Sequence, residues 1–199
     1  MKTKILFFLT ILSLFSCSSD KANNETGFQL PPETQTGANT FGVTIRDKVY
    51  IPRDPTGFNV GPSGHGAVYA GSSTQLWTEV RIVDGASATG FKMVIHFKNL
   101  ISNTLAVYNL KNSNYQEGID SIDENHIFFK IWDQSINNYA YYGSVENLSE
   151  INITRRSGGI ISGTFKGKFV RYDNPNDFID ITDGRFDFNL NTLPNTRFP

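Results

Sequence analysis

Apolar residues recur at every second position through most of the chain beyond residue 41. Phe41, Val43 and Ile45 alternate with Gly42, Thr44 and Arg46, and Leu76, Thr78, Val80 and Ile82 alternate with Trp77, Glu79 and Arg81. The same period sets Phe91, Met93, Ile95 and Phe97 against Lys92, His96 and Lys98. It also sets Ile161, Gly163, Phe165, Gly167 and Phe169 against Ser162, Thr164, Lys166 and Lys168. A period of two marks strands with one buried and one wet face. Further strands are predicted at Val49–Pro52, Leu105–Leu110, His126–Asp133, Tyr139–Gly143 and Ile151–Arg155. Asp84-Gly85, Asn137-Asn138, Gly158-Gly159 and Asp183-Gly184 stand between apolar runs, where positive φ is tolerated. Ile179 and Ile181 share a parity that Phe186, Phe188 and Leu190 break, so a bulge or tight turn is expected at Asp183-Gly184. Helical periodicity is limited to a short turn at Asn99–Asn103. About nine or ten strands in antiparallel order predict an all-β domain over residues 41–199, either a β-sandwich or a closed barrel. The outward lysines 92, 98, 166 and 168 argue against a transmembrane barrel.

The amino-terminal part has a different pattern. Lys2 and Lys4 precede an apolar stretch from Ile5 to Phe15, interrupted only by Thr10 and Ser13. That stretch is too short to span a bilayer and is expected to be a secretory signal over residues 1–16. It ends in Leu14-Phe15-Ser16-Cys17, which resembles a bacterial lipobox. The resemblance implies cleavage before Cys17 and a diacylglyceryl thioether on its sulfur, usually with a third chain on the new amine. At ~0.8 kcal/mol per buried CH₂, two or more chains anchor stably where one does not. Residues 17–40 then form the lipidated cysteine and a polar, turn-rich tether. Phe28 to Pro32 is the part of it that could add an edge strand, because Pro31-Pro32 would confine any pairing to an edge.

Composition narrows the rest. Loss of residues 1–16 removes two lysines and no acid, moving the formal charge from -1 to -3. No basic footprint for nucleic acid remains, and no polybasic patch for anionic lipid. Cys17 is the single cysteine, so a lipidated chain has no thiol for a disulfide, a thiolate metal site or a nucleophile. Stability must come from the apolar core, for which 16 Phe and 8 Tyr supply the material.

Two segments carry a family resemblance. The run from Leu30 through Pro31, Pro32, Thr34, Thr36 and Gly37 to Phe41-Gly42 resembles the opening of an uncharacterised family of Bacteroidota, flavobacterial-type, envelope lipoproteins. Gly159 to Phe165, followed by Ile181-Thr182-Asp183-Gly184-Arg185-Phe186-Asp187, is similar to the closing motif of that family. The resemblance implies a first hairpin turning at Asp47-Lys48 and ending in Tyr50-Ile51-Pro52. Many members carry a cysteine just after Phe-Gly, where this chain has Val43. The family implies an envelope lipoprotein and supplies no catalytic residue. Read from the residues, Gly163 leaves room for a bulky neighbour from the opposite sheet, and Arg185 and Asp187 alternate outward, where cross-strand pairing at the surface is expected.

Candidate chemistry is sparse. His65 lies in a glycine-rich stretch with Ser63 and no acid close in sequence. His96 falls on the polar face of its strand and His126 begins another, neither at metal-ligand spacing. The acidic loops Asp120–Glu124 and Asp173–Asp177 match no calcium-binding register and are expected to be hydrated turns. Asp120-Ser121-Ile122 resembles an acceptor for O-glycosylation in that phylum, with Ser121 as the acceptor. Trp77, Trp132, Tyr139, Tyr141 and Tyr142 have amphipathic rings of the kind that stack on sugars. Trp77 shares the expected wet face with Glu79 and Arg81, and the Tyr139–Tyr142 run cannot place every ring in one core. Trp77, Trp132, Tyr139 and Tyr141 are therefore the candidate ligand-binding residues. No cofactor, metal or nucleic-acid partner is expected. The expectation is an outer-membrane lipoprotein, periplasmic or surface-facing, binding a glycan, small ligand or partner protein without catalysis. The alternatives are a structural or assembly accessory of the outer membrane and, after it, a hydrolase.

Overall fold

The computed structural model describes residues 27–56, 65–72, 76–100, 104 and 106–199. The signal segment, Cys17, Ser63 and Leu105 lie outside the described residues. The chain is all-β. β1 (Thr40–Ile45) and β2 (Lys48–Tyr50) form the first hairpin, followed by β3 (Ala67–Ser72), β4 (Trp77–Val83), β5 (Lys92–Lys98) and β6 (Val107–Asn109). β7 (His126–Asp133), β8 (Asn138–Ser157), β9 (Ile160–Arg171) and β10 (Asn174–Asn189) complete the sheet. The strand order is β2-β1-β10-β9-β8-β7-β5-β4-β3, with β6 paired to the far half of β8. Every strand pairing is antiparallel, and the sheet curls into a half-barrel. Among the described residues no helix is long and apolar enough to cross a membrane.

The alternation seen in the sequence sorts the two faces. Phe41, Val43, Ile45, Ile82, Met93, Ile95, Phe97, Phe129, Phe165, Phe169 and Phe188 turn inward into one core and are almost wholly buried. Phe129 stacks on Tyr142 at 5.5 Å, and Phe97 meets Phe186 edge-on at 6.4 Å. The concave side is thus filled by the sheet's own rings. Two close approaches let it curl. A Cβ on Gly184 would fall 2.3 Å from the Phe165 ring, and one on Gly163 would fall 2.4 Å from the Asn152 carbonyl and 2.9 Å from the Phe186 ring. The room that Gly163 leaves is taken not from an opposite sheet but by its cross-strand partner Phe186, because a single sheet curls on itself. The register slips between Ile181 and Gly184, the predicted bulge, and again in β8 between Ser144 and Ser149. Bulges bend a strand and sharpen its twist.

Several boundaries differ from expectation. β8 runs unbroken through the segments predicted as two strands, because its bulge bends the strand without ending it. β3 had no clear alternation to reveal it; Ala67, Ala70 and Gly71 give a small-residue edge strand. The first turn uses Arg46 and Asp47, at φ 48° and 64°, one residue before the expected pair. Asp173 and Asp177 both engage Arg171, so that acidic stretch serves an ion-pair cluster at the start of β10.

The larger correction is at the amino terminus. Residues 27–39 add no strand, yet from Pro31 onward they are bound along the outer face of the sheet, so the packed domain begins before Phe41. Asp187, expected at the surface, is 1% exposed. Its carboxylate accepts from the Thr34 hydroxyl at 2.6 Å, from the backbone N–H groups of Thr36, Gly37 and Ala38 at 2.9–3.1 Å, and from the Ser162 hydroxyl at 2.6 Å. Arg185 donates to the Pro31 carbonyl and pairs with Asp183, and Arg155 donates to the Gln35 carbonyl. Burial alone would raise the Asp187 carboxyl, but the Ser162 and Thr34 hydroxyls and the Ala38 and Gly37 amides outweigh it and bring it down to about 2. Asp187→Asn is expected to cost at least about 2 kcal/mol, the scale of a charged hydrogen-bonded group left mispaired. It should also raise hydrogen exchange at the Gly37 and Ala38 amides. An unchanged urea midpoint with unchanged protection would contradict the clamp.

Candidate functional site

On the outer face the register builds rows across the sheet. Glu79, His96 and His126 stand side by side on β4, β5 and β7, as do Arg81, Val94 and Phe128. Farther along lie Lys130 opposite Tyr141, and Trp132 opposite Tyr139. The segment 110–125 crosses over the first of these rows. Its Tyr115 packs over Gly143 and donates to the Val170 carbonyl at 3.0 Å. That cover changes the expected polarity: Glu79 and His126 are fully buried and His96 is 1% exposed. Trp77 is half-buried and stacks on His96 at 5.8 Å, so the wet platform expected on β4 is instead the border of a polar layer whose Glu79 and His96 are covered.

Within that layer the His96 Nδ1 lies 3.0 Å from Glu79 Oε1, which also accepts from the Gly118 N–H at 2.7 Å. His126 stacks on His96 at 5.1 Å, and its two nitrogens meet the hydroxyls of Ser113 at 2.9 Å and Ser121 at 2.6 Å. The candidate acceptor Ser121 therefore turns its hydroxyl inward onto a buried ring. Among the described residues, the histidine with a carboxylate has no serine and the histidine with serines has no carboxylate, so these groups form no hydroxyl–imidazole–carboxylate series. Asp54 comes to 3.6 Å from His65 Nδ1 and binds the Gly66 N–H at 2.7 Å, so folding supplies His65 with the acid missing nearby in sequence. Asp54 also accepts from the Phe198 N–H at 3.3 Å and fastens the carboxy terminus. Among the described residues no three His, Cys, Asp or Glu side chains gather as metal ligands.

The remaining candidates do come together. Trp132 and Tyr139 pack edge-on at 5.3 Å on the β7–β8 hairpin, and Lys130 reaches over the Tyr139 ring at 4.1 Å. Tyr141 follows on the same face, 41% exposed, beside Tyr172, which is 71% exposed. The uncovered end of the outer face is thus an aromatic strip. It borders a cleft of about 340 Å³ lined by Phe28, Tyr50, Trp132, Arg46, Lys48, Arg53 and Asp84, with Ser87 and Thr89 also on its wall. This cleft is at the seam of the half-barrel. Arg53, just past β2, donates its N–H to the Val83 carbonyl at 3.0 Å and accepts from the Gly85 N–H at 2.9 Å. The Tyr50 ring reaches Phe91 at 4.7 Å, closing the core beneath.

A wider groove of about 650 Å³ runs past Leu148, Lys166, Lys168 and Asp180, but no aromatic side chain lines it. The seam cleft combines apolar rings with a few convergent polar groups, as small-ligand sites do. Sequence reasoning found its rim in Trp132 and missed its floor. Arg46 and Lys48 flank a hairpin turn, where charge ordinarily means a solvated tip, and nothing in the linear order brings residues 84–89 to them. Comparison with protein-family models, curated proteins and solved structures finds no match to the chain.

The buried layer has a pH signature. Burial, and then the neighbouring His96, push His126 from its ordinary 6.5 down to about 3. Between those values the unfolded chain binds a proton that the folded chain refuses. The stability this site contributes is therefore complete above pH 6.5 and is lost as pH falls toward 3. At ~1.4 kcal/mol per unit, a few kcal/mol are at stake. The urea midpoint is expected to fall from pH 7 to 4.5, and His126→Gln should flatten that dependence. Parallel profiles for the two proteins would contradict this assignment.

Proposed function

We propose that this chain is an envelope lipoprotein, held to the outer membrane through Cys17, whose β domain binds a glycan without catalysis. The observation that carries the binding reading is the grouping of Trp132, Tyr139 and Tyr141 on one uncovered face beside the seam cleft. Amphipathic rings stack on the apolar faces of sugar rings while their edges stay wet. The cleft walls supply polar groups for hydroxyls, among them Ser87, Thr89, Gln134 and Asp84. Trp77 drops out of the site, since it stands opposite Lys98 at the other end of the outer face and stacks on His96 there. The lipid anchor rests on the Leu14–Cys17 motif and the signal-like stretch before it.

Binding is tested on an array of bacterial and plant oligosaccharides, with hits titrated by Trp fluorescence. Trp132→Ala is expected to weaken binding by about 2 kcal/mol, near thirty-fold, as loss of an aromatic anchor does. Tyr141→Ala should weaken it less and change the unfolding free energy by under ~0.5 kcal/mol. No array signal, or hits indifferent to Trp132, would refute the reading. For the anchor, Cys17→Ala should leave an unlipidated chain that loses palmitate label and detergent-phase partitioning, because no thioether can form. Retained label in that variant would refute it.

A further inference from the structure

The seam cleft is cationic in a way that its internal pairing does not cancel. Three of its lining residues, Arg46, Lys48 and Arg53, are basic, and Asp84 is the one acid among those lining it. Arg53 pairs with Asp84 at 2.6 Å through one Nη, while its guanidinium stacks over Phe28 at 5.2 Å. Its Nε is shut off from water and has no hydrogen-bond partner among the described residues. Arg46 leans out of the cleft toward Asp177, at 3.3 Å, and the Tyr142 hydroxyl, at 2.8 Å, through one Nη. Lys48 forms no ion pair among the described residues; its ammonium lies 5.4 Å over the Tyr50 ring. A concave site with low-dielectric walls focuses such a field. Guanidinium donors match the oxygens of carboxylates and phosphates, and an ammonium adds a point charge.

We infer that the seam cleft takes an anionic group, a carboxylate or a phosphate, carried by the ligand whose sugar rings stack at Trp132. The inference rests on the glycan-binding reading and gives its ligand a chemical class. Lys48 supplies the uncompensated charge, and Arg53, clamped between Phe28 and Asp84, supplies a fixed donor face. Tyr50 and Trp132 hold the carbon skeleton that bears the anion. The anion enters where the ends of the curled sheet meet, next to the aromatic strip.

The test uses full-length protein in detergent and two matched probe pairs, trigalacturonate with its methyl ester and glucose 6-phosphate with glucose. Binding is read by Trp132 fluorescence and by calorimetry. In at least one pair the charged probe should bind ten-fold or more tighter than its neutral twin, and the pair that responds tells carboxylate from phosphate. The advantage should shrink as salt rises from about 20 to 500 mM. Lys48→Gln should lower it at least five-fold while leaving the urea midpoint unchanged. Charged and neutral probes bound alike, with Trp132 still required, would overturn the anionic assignment and leave glycan binding standing. A charge preference untouched by Lys48→Gln and by Arg46→Gln would overturn the location. Absence of binding by all four probes would overturn the inference, while the oligosaccharide array decides the parent reading separately.

Discussion

One sheet encloses its own core in this protein, and most other features follow from the bending that this requires. A flat antiparallel sheet of such length would leave the rings of Phe97, Phe129, Phe165 and Phe169 in water. Curling buries them against one another, and each fully buried aromatic contributes on the order of 2–3 kcal/mol. Tight curvature has local demands. Gly163 and Gly184 accept aromatic rings at distances that no side chain tolerates, and the bulges near Ser149 and Gly184 supply the bends. The curl also brings the two ends of the sheet together at Arg53 and Asp84, which is what creates the seam cleft.

Curling leaves a long convex face, and two irregular segments cover parts of it. Residues from Pro31 to Ala38 are fastened by Asp187, Arg185 and Arg155, and residues 110–125 by the layer of Glu79, His96 and His126. Both covers are held by buried polar groups rather than by a second apolar core. The choice has a physical reason: an irregular segment carries backbone N–H groups without ladder partners, and buried acceptors such as the Asp187 carboxylate and Glu79 Oε1 satisfy them. The uncovered remainder carries Trp132, Tyr139 and Tyr141, and Tyr172 packs at its border against Tyr115.

The opening and closing motifs of the domain acquire a common role through this arrangement. Thr34, Thr36 and Gly37 belong to the opening motif; Ser162 and Asp187 belong to the closing one. They are distant in sequence and meet at one carboxylate. β1 continues the match, with Thr40 opposite Asp187 and Phe41 opposite Phe186. A side chain that alternation assigns to the solvent face is wet only if nothing crosses that face. For Asp187, Glu79 and His96 something does.

Alternation and turn chemistry predicted strands in antiparallel order, the inward sides of β1, β4, β5, β9 and β10, and a slip of parity near Asp183-Gly184. Those are local properties, set by pleat and turn chemistry within a few residues. Leu76, grouped with the inward row of β4, instead stands just before the strand and is 53% exposed. The glycine and asparagine turns were legible for the same reason, while β3 and the continuity of β8 were not, because small residues and bulges blur a period of two. Trp132, Tyr139 and Tyr141 could be named as candidates from side-chain chemistry. Only the folded sheet decided that these three share an open face while Trp77 is stacked on a covered histidine. Only the curl could bring Phe28, Lys48, Arg53 and Asp84 to one cleft, since contact across a seam depends on the curvature summed over all the strands and leaves no trace in any single one.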